Sequence, residues 1–166
     1  MLIKSVVDTG DIPDAYREGR IGREEFWQKV QSELHLPEDI ETLEKEWING
    51  YELIQGTKDI IDELSKKYKV YFLSDNVKDR VEAVDAKFNF LSWFEGGVFS
   101  HEAGVRKPNP KIYEIALQKA GVQANEAIFI DDKESALKPA AAMGMTTILF
   151  ETPEKLREKL TTLAIL

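Results

Sequence analysis

The chain has 166 residues and a mass of 18.9 kDa, room for one domain with a small appendage but not for two large domains. Its hydrophobic content of 43% and charged content of 31% are those of a globular protein rather than a disordered one. A formal charge of -8 and a pI near 4.9 speak against a nucleic-acid surface, and the lack of cysteine excludes disulfides, thiolate metal sites and a thiol nucleophile.

The run Leu2 to Val7 is apolar and β-branched and stops at Asp8-Thr9-Gly10-Asp11, which predicts a short first strand followed by a turn. This N-terminal run is too short and too poorly flanked for a signal peptide, and no apolar stretch is long enough to span a membrane, so a cytoplasmic protein is expected. Residues 14–50 read as helices, one opened by Arg23, Glu24 and Glu25, another running from Glu38 to Trp47. Thr57 to Lys67 has Ile60, Ile61 and Leu64 at helical spacing and feeds a strand at Val70 to Leu73. A helix from Lys111 to Ala120, closed by Gly121, leads into a strand from Ala127 to Ile130 that ends at Asp131. A further helix around Ser135 to Ala142 precedes a strand at Thr146 to Phe150. Apolar strands separated by helices predict an α/β fold, a three-layer Rossmann-like parallel sheet covered on both faces. The expected division is a core of residues 1–13 and 51–166 with a small helical cap inserted at 14–50.

Parallel α/β sheets bind ligands outside the carboxyl ends of their strands, which directs attention to Asp8, to Ser74-Asp75-Asn76, to the loop holding Lys107, and to Asp131-Asp132. Adjacent carboxylates repel one another, a cost that an oxygen-seeking cation such as Mg²⁺ offsets; the plain alternative is that either aspartate caps the following helix. Ser74 is open to the same two readings, as a helix cap or as a donor to a phosphoryl oxygen. Lys107 lies in Gly-Val-Arg-Lys-Pro-Asn-Pro, where the prolines restrict the backbone, and is either an accurately placed ammonium or a solvated loop lysine beside an equivalent Arg106. His35 and His101 flank no carboxylate constellation; they read as a helix-end residue and a loop residue without a role.

Phe72-Leu-Ser-Asp-Asn76, Gly104-Val-Arg-Lys-Pro-Asn-Pro-Lys-Ile-Tyr113 and Ile128-Phe-Ile-Asp-Asp132 follow one another in an order that resembles the haloacid dehalogenase superfamily of hydrolases over nearly the whole chain. Leu137-Lys-Pro-Ala140 and Met143 to Leu149 look much like the phosphatase domain of soluble epoxide hydrolases and related small phosphatases. The resemblance implies a phosphatase acting on a small phosphorylated substrate with Mg²⁺. Ser74 and Asp75 would lie on the substrate side, Lys107 would neutralise the phosphoryl group and the nucleophile, and Asp8, Asp131 and Asp132 would hold the metal. Such chemistry needs mainly positioning and charge neutralisation around a carboxylate nucleophile.

The family's first motif is a strand ending in Asp-x-Asp, a nucleophile followed by a general acid and base. With Asp8 as nucleophile, Gly10 stands in the second position and Asp11 is a displaced substitute. Val6-Val7-Asp8-Thr9-Gly10 also resembles the stretch that often follows that motif, in which case the true nucleophile is absent from this sequence. Asp-Thr-Gly-Asp is also good turn chemistry in its own right. Three readings therefore stand: a Mg²⁺-dependent phosphatase working through an aspartyl-phosphate at Asp8, a catalytically silent domain that keeps the phosphate and metal loops, and a shortened form of a longer hydrolase.

Overall fold

Helix boundaries follow local backbone chemistry throughout the computed structural model, which describes residues 10–35 and 39–166. Helix α1 (Asp11–Arg17) starts behind Gly10, whose φ of 113° is a conformation that L side chains rarely adopt. Helix α2 (Arg23–Leu34) carries Glu24 and Glu25 in its first turn, at the positive end of the helix dipole, and closes at His35 in the left-handed conformation. Helix α3 (Ile40–Asn49) is capped by Asp39, whose carboxylate accepts the Thr42 N–H at 2.9 Å. That bond and a second from the Thr42 hydroxyl hold the Asp39 carboxyl below its usual range. The helix expected from Glu38 to Trp47 is thus α3, and Glu38 lies outside the described residues, as does the expected strand from Leu2 to Val7.

The chain divides into two units. The first takes Met1–Glu52, Ser74–Asn89 and Phe99–Arg106, and so holds α1 to α3, α5 (Lys78–Phe88) and the short α6 (Ser100–Ala103). Its core is Tyr16, Phe26, Trp27, Val30, Leu43 and Val77, with Ile12, Ile21 and Ile40 packed against it. Tyr16 and Phe26 stack at 4.4 Å and Trp27 meets Phe26 edge-on at 5.2 Å. Polar tips at the margin of this core find partners: the Trp27 indole N–H donates to Glu44 at 3.3 Å, and Arg23 grips both oxygens of the same carboxylate. The Tyr16 hydroxyl donates to Asp79 at 2.9 Å, and burial together with that anionic partner pushes the phenol far above its ordinary range.

The second unit takes Leu53–Leu73, Phe90–Val98 and Lys107–Leu166. Helix α4 (Gln55–Leu64) leads to strand β1 (Tyr71–Ser74), which pairs with β2 (Gly96–Phe99). Strand β2 was not expected from the sequence, because Gly96-Gly97 is weak strand chemistry. Packing explains the glycine: a Cβ at Gly97 would fall 2.3 Å from the Phe72 ring. Helix α7 (Pro110–Ala120) is capped by the Asn109 side chain and stopped by Gly121 at φ 69°. It buries Ile112 and Tyr113 completely, and the Tyr113 hydroxyl donates to the Ala136 carbonyl at 2.7 Å. Strand β3 (Ile128–Asp131) runs parallel to β4 (Thr146–Leu149), Ile128 opposite Thr146 and Asp131 opposite Leu149, with α8 (Glu134–Ala142) between them in sequence. Helix α9 (Pro153–Thr162) supplies Leu156 and Leu160 to a core shared with Ile60 and Ile148.

Strands joined through helices, with β3 and β4 parallel, make the expected α/β, Rossmann-like architecture. Among the described residues, no helix is long and apolar enough to cross a membrane.

Candidate functional site

Strand β3 ends at Asp131, the kind of position where an α/β sheet offers polar groups to a ligand. Side chains alternate along a strand: Ile130 packs against the cluster around Ile60, and the next residue, Asp131, meets Lys107. The Lys107 ammonium donates to Asp131 Oδ2 at 2.7 Å and to the Leu73 carbonyl at 3.1 Å. The lysine side chain is 15% exposed and the aspartate side chain 7%, so the pair is desolvated on both sides. Its Nζ also lies 5.9 Å from the centre of the Phe129 ring.

Lys107 is therefore not a solvated loop cation. Leu73 immediately precedes Ser74, so one ammonium touches the backbone at the end of β1 and the carboxylate at the end of β3. Arg106, its equal in sequence, is used differently: it pairs with Asp14 and, at 3.8 Å, with Glu18, inside the first unit.

The two carboxylate oxygens of Asp131 have different partners. Its Oδ1 accepts the Lys133 N–H at 2.9 Å, a turn-forming bond just ahead of α8, while its Oδ2 serves Lys107. The helix itself begins behind Lys133 with no side-chain cap, so neither aspartate acts as a simple N-cap. Asp132 is exposed and enters no hydrogen bond or ion pair among the described residues. Oxygen donors of this kind suit a hard divalent cation. No group of three or more acidic or histidine side chains able to hold a metal occurs among the described residues. Asp8, the remaining expected ligand and nucleophile, lies outside them.

Ser74 closes β1 and Asp75 follows it, both half-buried. The next residue is held closely: the Asn76 side chain accepts the Val77 N–H at 3.0 Å, and the Asn76 carbonyl accepts from the Ser100 hydroxyl at 3.3 Å and stands 2.7 Å from His101 Nδ1. His101 is accordingly a helical residue with a defined partner rather than the loop residue expected from sequence. Ser100 and His101 escaped sequence reasoning because their partner is a backbone carbonyl, which leaves no trace in residue type. Asp11 occupies the first turn of α1.

An ammonium and carboxylates at the strand ends of a Rossmann-like scaffold can hold an anion and a cation side by side. Comparison with known proteins gives the family. A family model described as haloacid dehalogenase-like hydrolase matches residues 19–150, and the chain belongs to that family. Bifunctional epoxide hydrolase 2 of Rattus norvegicus is 44% identical over 72 residues, 43% of this chain and 12% of the rat protein. Flavin mononucleotide hydrolase 1 of Arabidopsis thaliana is 27% identical over 127 residues, 76% of this chain and 52% of the plant protein. The chain thus spans about half of the plant protein's length and a much smaller part of the rat protein's. Among solved structures, a haloacid dehalogenase family enzyme of Bacteroides thetaiotaomicron in complex with magnesium and inorganic phosphate shares the fold, with a TM-score of 0.80 at 23% identity over 91% of this chain and 80% of that one.

Proposed function

We propose that the chain is a Mg²⁺-dependent phosphatase of small phosphomonoesters, working through an aspartyl-phosphate at Asp8. The observation that carries this reading is the desolvated Lys107–Asp131 pair, with the same ammonium on the carbonyl before Ser74. An ammonium fixed in that way neutralises a phosphoryl group without having to reorganise. Ser74 and Asp75 line the substrate side, and Asp132, with Asp131 and Asp8, holds the metal. Magnesium would supply charge neutralisation at the phosphoryl oxygens. Plant and archaeal relatives named as a flavin mononucleotide hydrolase and a glyceraldehyde 3-phosphate phosphatase support a small phosphorylated substrate. Residues 14–50 are assigned to a helical cap inserted in a core of 1–13 and 51–166; no strand interrupts the helices among their described residues.

Hydrolysis of a generic aryl phosphate by the purified chain, with and without Mg²⁺ and beside Asp8→Asn and Asp132→Asn, tests the proposal. Mg²⁺-supported turnover that both substitutions abolish is expected. Equal rates in every preparation would sink the proposal.

One observation favours a second reading, a phosphate-binding domain that does not turn over. Gly10, in the family's general-acid position, has a φ of 113°, so a carboxylate-bearing residue there would be strained. On this reading calorimetry gives heats for Mg²⁺ or phosphate while the aryl phosphate stays intact, and Asp8-dependent turnover contradicts it.

A further inference from the structure

Among the described residues of the first unit, the fully buried polar side chain of Ser100 does not belong to any motif found in the sequence. Ser100 is completely buried, and its hydroxyl donates to the Arg17 carbonyl at 2.6 Å and approaches the Asn76 carbonyl at 3.3 Å. His101 Nδ1 stands 2.7 Å from that same Asn76 carbonyl. A carbonyl only accepts, so Nδ1 carries the proton and donates. Two donors thus converge on one backbone oxygen, two residues after Ser74 and one after Asp75.

The donors are themselves held. The Phe99 and His101 rings stack at 5.4 Å with 23° between their planes. Gly19, at φ 68°, lets α1's trailing turn come so close to the His101 carbonyl that a Cβ there would sit 2.7 Å from the oxygen. On the loop itself the Asn76 side chain holds the Val77 N–H, and Val77 is buried in the core with Tyr16 and Phe26. The peptide between Asn76 and Val77 is therefore fixed at its carbonyl by Ser100 and His101 and at its N–H by the Asn76 side chain.

We propose that His101 and Ser100 are positioning residues for the Ser74-Asp75-Asn76 loop: by holding the Asn76 carbonyl they set the backbone that presents the Ser74 hydroxyl to a phosphoryl group. This rests on the phosphatase reading above. His101 acts through Nδ1 alone, so an asparagine, whose amide nitrogen stands at the same remove from Cα as Nδ1, replaces it in function, whereas alanine does not.

The test is the affinity of the full chain for inorganic phosphate in Mg²⁺, by calorimetry, for the unaltered protein, His101→Ala, His101→Asn and Ser100→Ala. Amide exchange of residues 75–77 is followed in the same samples. Loss of one well-placed hydrogen bond should weaken phosphate binding about tenfold in His101→Ala, with faster exchange at 75–77, and His101→Asn should recover both. Ser100→Ala should weaken binding in the same direction. Unchanged affinity and exchange in His101→Ala overturn the proposal alone, as does equal loss in His101→Ala and His101→Asn. Failure of the unaltered protein to bind phosphate overturns the phosphatase reading, and this proposal with it.

Discussion

Lys107 and Arg106 are neighbours with the same charge and nothing in residue type separates them; their partners do. Arg106 is bound to Asp14 and Glu18 in the first unit, Lys107 to Asp131 in the second. Lys107→Met keeps the aliphatic stem but leaves Asp131 with an uncompensated charge, so stability should fall by about 3 kcal/mol. Phosphatase activity should fall by about two orders of magnitude or more. Denaturant titration and initial rates check the two effects separately, and Arg106→Met should retain far more activity than Lys107→Met. At this scale the sequence revealed which side chains carry charge at strand ends. It could not reveal their pairing, nor the task of His101, because a backbone carbonyl partner has no letter of its own. Asp131 was legible as a metal ligand or a helix cap, whereas in the structure one oxygen accepts the Lys133 N–H ahead of the helix and the other pairs with Lys107.

Elements were legible wherever hydrophobic period and capping chemistry agreed. Helix α7, between Asn109 and Gly121, is the clear case, and α3 moves only because Asp39 supplies its cap. Strand β2 was hidden because its two glycines answer to the Tyr71 and Phe72 rings, a tertiary demand with no local signature. Gly97→Ala should destabilise the chain by about 2 kcal/mol, as overpacking does, and Phe72→Leu in the same chain should recover part of that loss. Thermal melts of the two single variants and the double variant measure the coupling. Helices α4 and α9 carry a pair with a definite pH signature: Arg157 donates to Glu63 at 2.8 Å and holds that carboxyl below its usual value. A carboxyl depressed by folding stabilises above its unfolded pKa and loses that contribution as pH falls through the folded value. Glu63→Gln should therefore lower the melting temperature at neutral pH, and the gap from the unaltered chain should close in acid below the depressed value.

For the molecule as a whole, the α/β class and the order of the motifs were readable because apolar strands and helices alternate from α4 to α9. The division into units was harder to read, since the first draws on three separated stretches of chain. Its core depends on a few large aromatic residues, and Phe26→Ala should cost about 4 kcal/mol, measured by denaturant unfolding. On the proposed function, turnover depends on Asp8 and on Gly10, which brings no carboxylate to the second position after it. If Asp8 is the nucleophile, its phosphorylation should outrun hydrolysis of the aspartyl-phosphate, because Gly10 has no side chain to activate water and Asp11 is displaced from that position. Rapid mixing of the chain with an aryl phosphate in Mg²⁺ should then release a burst of aryl alcohol close to the protein concentration, followed by slow turnover, with both phases gone in Asp8→Asn. Release no greater than that of Asp8→Asn would contradict the account.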